Sequence, residues 1–447
     1  MVEEYKSIFR SLVKSLQENN FDDVVNEVLS RPGVDKGKLA KAISSLCGTE
    51  ISYDENFASN LKDAISAYKP DHKVVSKIGT CSADCLVDGE SPCMKSCPFD
   101  ALIFDKEKRN TVIDQNKCTD CGFCVDACPT GALVDKVEFM PLFSLMKSGK
   151  PVVAAVAPAI SGQFGDRATI DRLRTAFKVL GFADMVEVAF FADMLTLKES
   201  VEFDHLVKKE EDLMITSCCC PMWVGMLKRV YENLVKHVSP SVSPMIAAGR
   251  VLKKLNPEVK VVFIGPCIAK KAEAKEKDLI GDIDYVLTFT ELKDIFDSLD
   301  IDPGKFEETP STDYATRGGK LYARAGGVSI AVAESLEQIF PEKYKLFKSV
   351  AVDGIKDCRA ILEKAQKGET DANFIEGMGC IGGCVGGPKA LVSKEIGKEH
   401  VDKYADSSST KVSIDSDCIK DVFHKIGIFD MEDVKKGEKI EIFERKF

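Results

Sequence analysis

Apolar residues recur at helical spacing near the start of the chain. Phe9, Leu12, Val13 and Leu16 share one face, as do Val24, Val25, Val28 and Leu29. Arg31-Pro32-Gly33 ends the second helix. The pattern predicts a small helical region over residues 1–75, a packing or docking accessory without chemistry of its own. Over residues 150–390, short β-branched or apolar runs alternate with helical stretches. Val152 to Val156 ends at Ala157-Pro158, and Leu213 to Ile215 ends at Thr216. Val259 to Ile264 ends at Gly265-Pro266, and Asn373 to Ile375 ends at Glu376. This reads as an α/β domain in which several strands stop where a helix is about to start. Ligands of open α/β sheets sit at the carboxyl ends of strands, so distant segments can share one pocket. From residue 391 the chain is more charged and reads as looser, with Ser407-Ser408-Ser409-Thr410 as an exposed loop.

Composition narrows the class. A chain of 447 residues with 45% hydrophobic content has room for two to four domains. We expect a helical region over 1–75, a small α+β region over 76–140, an α/β domain over 141–395 and an extension over 396–447. A formal charge of -10 argues against a nucleic-acid partner, which calls for a basic patch. The first residues hold no apolar leader core, and no run is apolar enough to span a membrane. We therefore expect a cytoplasmic protein with no membrane association. The 17 cysteines sit mostly in tight clusters, several followed by proline, which suits thiolates committed to metal in a reducing cytosol.

The first cluster group reads Cys118-x2-Cys121-x2-Cys124-x3-Cys128-Pro129. Thiolates at this spacing wrap one cubane, and the fourth crosses to a second cluster. An irregular copy precedes it: Cys81-x3-Cys85-x7-Cys93-x3-Cys97-Pro98. Pro98-Phe99-Asp100-Ala101-Leu102 mirrors Pro129-Thr130-Gly131-Ala132-Leu133, which supports a duplication. The crossover rule assigns Cys81, Cys85, Cys93 and Cys128 to one [4Fe–4S] cluster, and Cys97, Cys118, Cys121 and Cys124 to the other. The insertion makes Cys81 the weakest member of its set. Two such clusters form an electron relay.

Three further motifs follow: Thr216-Ser217-Cys218-Cys219-Cys220-Pro221-Met222-Trp223, then Gly265-Pro266-Cys267-Ile268-Ala269-Lys270-Lys271, then Glu376-Gly377-Met378-Gly379-Cys380-Ile381-Gly382-Gly383-Cys384. Together they resemble the signature of the [FeFe]-hydrogenases, over roughly residues 76–390. The triple cysteine resembles a variant form found in a subset of these enzymes, including group B types. The resemblance implies a catalytic domain of two lobes around a buried H-cluster, beside a ferredoxin-like domain. The H-cluster is a [4Fe–4S] cubane joined to a two-iron site with CO, CN⁻ and a dithiolate. Read from the Thr216 end, the resemblance makes Cys219 the first ligand and Cys218 the free thiol beside the open iron. Read from the Trp223 end, it makes Cys220 the ligand; the first register is preferred. Cys267 and Cys380 are the next ligands, and Cys384 bridges to the two-iron site.

The resemblance also implies a proton relay of Glu199, Glu202 and Ser239, against the plainer alternative of solvated glutamates on an amphipathic helix. It implies that Lys270 holds an anionic cyanide and that Glu273 orients the lysine. It places Ala157, Pro158, Lys270, Gly326, Gly327 and Met378 around the cofactor. Gly265, Ala159 and Met245 stand where the family commonly has methionine, serine and glutamine, and such changes tune a metal site. Trp223 reads as core packing. Cys47, Cys358 and Cys418 match no ligand pattern and read as inert buried thiols.

The expected activity is that of a ferredoxin hydrogenase in anaerobic metabolism, interconverting protons and H2. Its expected partners are ferredoxin or a similar small carrier, and the maturation proteins that insert the two-iron site. The alternatives are an H2 or redox sensor on the same scaffold, or a Nar1-like iron–sulfur assembly protein.

Overall fold

The computed structural model describes all residues apart from 1, 71–72, 83–84, 88, 108, 218, 312–313, 429–432 and 435–438. In chain order the strands are β1 (Val75–Lys77), β2 (Leu102–Asp105), β3 (Asn110–Ile113), β4 (Leu133–Asp135), β5 (Val152–Val156), β6 (Asp184–Glu187), β7 (Met214–Ile215), β8 (Lys260–Gly265), β9 (Tyr285–Thr288), β10 (Ser349–Asp353) and β11 (Phe374–Met378). The chain forms two compact units. One holds Met1–Lys150, Ile268–Lys275 and Tyr285–Asp302; the other holds Pro151–Cys267, Glu276–Asp284 and Pro303–Phe447.

In the first unit the helices Val2–Glu18, Phe21–Leu29, Lys36–Leu46 and Phe57–Ser66 bury the apolar faces read from the sequence, including Phe9, Leu12, Val25, Val28, Ile43 and Leu61. The cysteine array follows as two antiparallel pairs, β1 with β4 and β2 with β3. Its core joins Val75, Leu102 and Leu133 to Cys93 and Cys124. Gly122 has φ of 82°, and a Cβ there would lie 2.6 Å from Ile268, so only glycine fits the turn after Cys121.

Two segments that the sequence reading kept within the α/β domain belong to this first unit. The reason is electrostatic. Lys271 is fully buried, and its ammonium donates to Asp135 and to the Lys136 carbonyl, each at 2.7 Å, and to Glu291. Burial works against that charge, and Asp135, Glu291 and Glu138 more than offset it, holding the lysine above its ordinary range. Val286 N donates to the buried Glu138 carboxylate at 2.8 Å.

The second unit is built on parallel strands. β6, β5 and β8 run side by side in that order, and β10, β11 and β7 form another parallel sheet. The helix Val188–Leu206 lies among them, and every residue from Val188 to Phe203 is buried. A helix covered on all sides is a core helix, whatever charges it carries. The amphipathic alternative for Glu199 and Glu202 is thereby set aside: they are 0% and 8% exposed.

The C-terminal region is more ordered than its composition suggested. Ser393 caps the helix Lys394–Asp406, accepting from Ile396 N, and a second helix spans Asp417–Lys425. Ser408 is buried because the Lys320 ammonium, itself buried, donates to it at 2.9 Å. Ser413 donates to buried Asp193 at 2.9 Å. Partners outside the local segment order this stretch, and local charge patterning does not register them.

Candidate active site

The motifs sit at the carboxyl ends of parallel strands, as the strand pattern predicted. β7 runs into Thr216, β8 into Pro266-Cys267, β11 into Gly379-Cys380, and β5 into Ala157-Pro158. Register then sets the neighbours. Met214 and Ile215 pair with Phe374 and Ile375, and Thr216 N donates to the Ile375 carbonyl at 3.0 Å. The first and third motifs therefore leave the sheet side by side. Trp223, 1% exposed, donates its indole N–H to the Thr216 carbonyl at 2.8 Å, and a Cβ at Gly377 would lie 2.3 Å from its ring. Trp223 is core, as expected.

The two described thiols of the triplet point in different directions. Cys218 lies outside the described residues. Cys219 Sγ is 3.7 Å from the Tyr322 carbonyl. Cys220 Sγ accepts from Gly379 N at 3.3 Å, against the third motif. Burial pushes the Cys220 thiol up; amide hydrogen bonds from Gly379 and Trp223 oppose this, and a Cys384 thiolate adds to it. Second and third motifs also meet. The Pro266 carbonyl accepts from Lys389 N at 3.1 Å, and a Cβ at Gly387 would lie 2.6 Å from it. Gly265 is confined by the Phe263 ring, 2.6 Å from where its Cβ would stand, so a methionine has no room there.

Around these loops the expected cofactor residues take several roles. Lys270 is 6% exposed and donates to Glu273, 3% exposed, at 2.7 Å, so this lysine is not a solvated one. Gly326 N and Ser329 N donate to the Glu376 carboxylate at 2.9 and 2.8 Å, and Ser329 Oγ does so at 2.7 Å. Glu376 thus caps the helix Gly327–Ile339, a role the sequence reading missed. Gly327 has no space for a side chain, since a Cβ would lie 1.8 Å from the Leu321 carbonyl. Met378 is buried, and its carbonyl accepts from Gly354 N and from Cys358 Sγ. Ala157 N donates to the Ile264 carbonyl, and Ala159 and Met245 are buried beside their strand and helix ends. Cys47 and Cys358 are buried thiols as read, whereas Cys418 is only half-buried.

The relay residues converge. A bridge between Ile215 and Val238, with Ser239 N donating to the Ile215 carbonyl at 2.9 Å, brings Ser239 beside the first motif. Ser217 Oγ lies 2.6 Å from the Ser239 carbonyl and 2.8 Å from the Ser241 carbonyl, clamping that turn. Ser239 Oγ is 2.8 Å from Glu199 Oε1 and closer still to Glu202 Oε2. One hydroxyl proton cannot serve two carboxylates, so a further proton belongs on one of them. Burial and the neighbouring Glu202 raise Glu199 from 4.5 to about 7, which assigns that proton to Glu199 near neutrality. The Thr216 side chain of the first motif also hydrogen-bonds to this carboxyl and opposes the rise. A protonated Glu199, a hydroxyl and a carboxylate in series form a wire that can shift a proton by one bond at each link.

A stability consequence follows. The folded state keeps the Glu199 proton that an unfolded chain releases near 4.5. The stability it contributes is full below 4.5 and is lost as pH rises toward about 7. Glu199→Gln mimics the protonated acid. Its melting temperature should fall less than wild type between pH 5 and pH 7, and parallel melting curves across that window would refute the assignment.

The cysteine array shows the same logic. Cys97, Cys118, Cys121 and Cys124 line one cavity with Val75, Leu102 and Ile113. Burial pushes the Cys121 thiol up to about 12, opposed by an amide hydrogen bond from Phe123 and increased by the charges of Cys97 and Cys118. Cys93 is pushed up by burial, with a further rise from Cys128 and Cys81. Cys97, Cys118, Cys121 and Cys124 thus share one lining, Cys93 feels Cys128 and Cys81, and Cys85 contacts Ser82 at 3.2 Å. Buried thiols that raise one another in this way are relieved by a cationic iron–sulfur core, and thiolate is the donor that such clusters take. In the second unit Cys220 packs on Gly379 N and is raised by a Cys384 thiolate, so two soft donors meet across glycine-rich turns. Among the described residues, no helix is long and apolar enough to cross a membrane.

Known proteins agree with this geometry. Residues 150–388 match the family described as iron only hydrogenase large subunit, C-terminal domain, and residues 111–134 match a 4Fe-4S binding domain. The NADP-reducing hydrogenase subunit HndD of Solidesulfovibrio fructosivorans is 27% identical over 60% of this chain, which spans about half of that protein, 55%. Protein NAR1 of Arabidopsis thaliana is 24% identical over 68% of this chain and 78% of its own length. An [FeFe]-hydrogenase structure described for oxygen inactivation of its H cluster superposes with a TM-score of 0.56, at 20% identity, over 69% of this chain and 98% of that one. That likeness shows the fold.

Proposed function

We infer that the protein interconverts protons and H2, because the chain belongs to the iron-only hydrogenase family and its buried carboxylates are strung for proton transfer. The Glu199–Ser239–Glu202 series is the observation that carries the reading. Two buried carboxylates joined by one hydroxyl, with burial raising the acid at Glu199, suit proton transfer and hold no metal. In this reading Cys220, Cys267, Cys380 and Cys384 hold the cubane, and Cys384 bridges to a two-iron site. The contact of Cys220 with Gly379 N favours the register counted from Trp223. Cys219 then takes the part of the free thiol. When bound, the H-cluster supplies electrons and an open iron for H2 formation.

The chain's own groups do the rest. Glu273 accepts from the Lys270 ammonium and fixes its direction. Glu199 exchanges a proton with Ser239 while Ser239 exchanges one with Glu202, and the reverse order runs the reaction backward. Cys81, Cys85, Cys93 and Cys128 would hold one [4Fe–4S] cluster and Cys97, Cys118, Cys121 and Cys124 a second, which would supply an electron relay to ferredoxin or a similar carrier. A reducing, anaerobic cytoplasm is the matching setting for cysteines committed to iron–sulfur clusters.

A second reading, an iron–sulfur assembly protein, has support from the NAR1 relative. Infrared spectroscopy separates the two. Protein produced anaerobically with hydrogenase maturation proteins should show CO and CN⁻ stretches and evolve H2 from a reduced carrier. A full complement of cubane iron with neither stretch would favour the assembly protein.

A further inference from the structure

The relay helix carries a second buried charge. Lys198 is 1% exposed and lies four residues before Glu202, on the same helical face. Its ammonium pairs with Glu202 Oε1 and donates to Ser241 Oγ at 3.1 Å. Ser241 Oγ is 2.9 Å from Ser239 Oγ and 3.3 Å from Glu202 Oε2. One cation therefore holds both the outer carboxylate and the hydroxyl beside it. A buried lysine persists only where partners compensate its desolvation.

The compensation reaches into the C-terminal segment. Glu444 Oε1 is 3.9 Å from Lys198 Nζ, and the Glu444 side chain is 42% exposed. Backbone pairing sets this position. Val242 N donates to the Phe443 carbonyl and Arg445 N to the Pro240 carbonyl, each at 2.8 Å, with a bridge between Ser241 and Glu444. The family match stops at residue 388, so Glu444 lies outside it.

We propose that Lys198 is a positioning residue of the proton path, fixing Glu202 in register with Ser239, and that Glu444 of the C-terminal segment is the path's solvent end. The proposal rests on the hydrogenase reading. Among the described residues, the charged groups facing Glu202 are Glu199 and Lys198 of its own helix, with Glu444 behind Lys198. The asymmetry is useful. The paired cation lies on the Glu202 side of Ser239, while on the other side burial raises Glu199 and favours its protonated form. The wire is thus polarised before any turnover. An inward proton enters beside Glu444 and reaches Glu202 along the Lys198 side; the Ser239 proton then moves to Glu199, which gives up from its other oxygen the proton it already holds.

Removing Lys198 withdraws a positive charge from two carboxylates, so their shared proton should be held to higher pH. We would compare wild type, Lys198→Met, Lys198→Arg and Glu444→Gln. Lys198→Met should lower H2 turnover by about tenfold or more at unchanged iron content, within the range of proton-transfer defects. Its pH–rate profile should shift upward, and Lys198→Arg should restore most of the rate. Glu444→Gln should slow turnover less and raise its solvent isotope effect. Independently of turnover, the infrared band of a protonated buried carboxyl in iron-free protein should persist to higher pH in Lys198→Met. An unshifted carboxyl titration, or a rate loss that Lys198→Arg does not relieve, overturns the proposal in favour of a purely structural lysine. If wild type makes no H2 yet the carboxyl titration shifts as stated, the functional reading fails and the positioning of Glu202 by Lys198 stands.

Discussion

Cys220→Ser abolishes H2 turnover and strips the cubane iron from the three-motif site, whereas Cys219→Ser keeps that iron. This is the outcome expected if the first-motif ligand is the thiol that packs on Gly379. A serine oxygen is a hard donor and a poor substitute for thiolate on iron. Cys219, turned toward the Tyr322 carbonyl, should instead matter as a proton carrier. Its serine variant should therefore lose roughly a hundredfold in rate or more, the scale of acid–base catalysis, with its CO and CN⁻ stretches still present. Iron analysis of the two variants, purified side by side, decides between the registers. Iron retained in Cys220→Ser and lost in Cys219→Ser would restore the register counted from Thr216.

Ser239→Ala should be nearly as damaging without touching any metal. Ser239 Oγ is the link between Glu199 and Glu202, and alanine leaves both buried carboxylates without it. We expect turnover to fall about a hundredfold or more, which is about 2.7 kcal/mol of barrier. Iron content and the reduction of the relay clusters should be unchanged. Ser239→Thr keeps the hydroxyl and should recover much of the rate. A Ser239→Ala enzyme within twofold of wild type would mean that protons take another route.

Cysteine spacing was legible because cluster geometry demands it at short range. The sets around Cys97 and Cys93 follow from the crossover alone. Strand ends were legible too, since β-branched runs stop where Gly and Pro begin. Glu199, Glu202 and Ser239 came from resemblance, and the structure shows why they are buried: their helix is covered on every face. Lys198, Ser241 and Glu444 escaped notice because each is an ordinary residue locally. Only the backbone pairing of residues 240–242 with 443–445 makes them neighbours. The same holds for Glu376, whose carboxylate finds amides at Gly326 and Ser329, far back in the chain. One available signal was the spacing of Lys198 and Glu202, four apart on one face of a helix. Another was the alternation of Ser239, Ser241 and Ser243, which puts the first two on one side of an extended segment.

The chain has one tryptophan, and it lies flat against Gly377 on the strand that leads to Cys380. Indole emission from this protein is therefore a one-site optical signal. It reads the apolar seam under the first and third motifs, without the averaging that several indoles impose. Iron–sulfur centres absorb broadly and quench nearby fluorophores. Trp223 is thus a native gauge of cluster arrival and of local unfolding, available without labels or added probes.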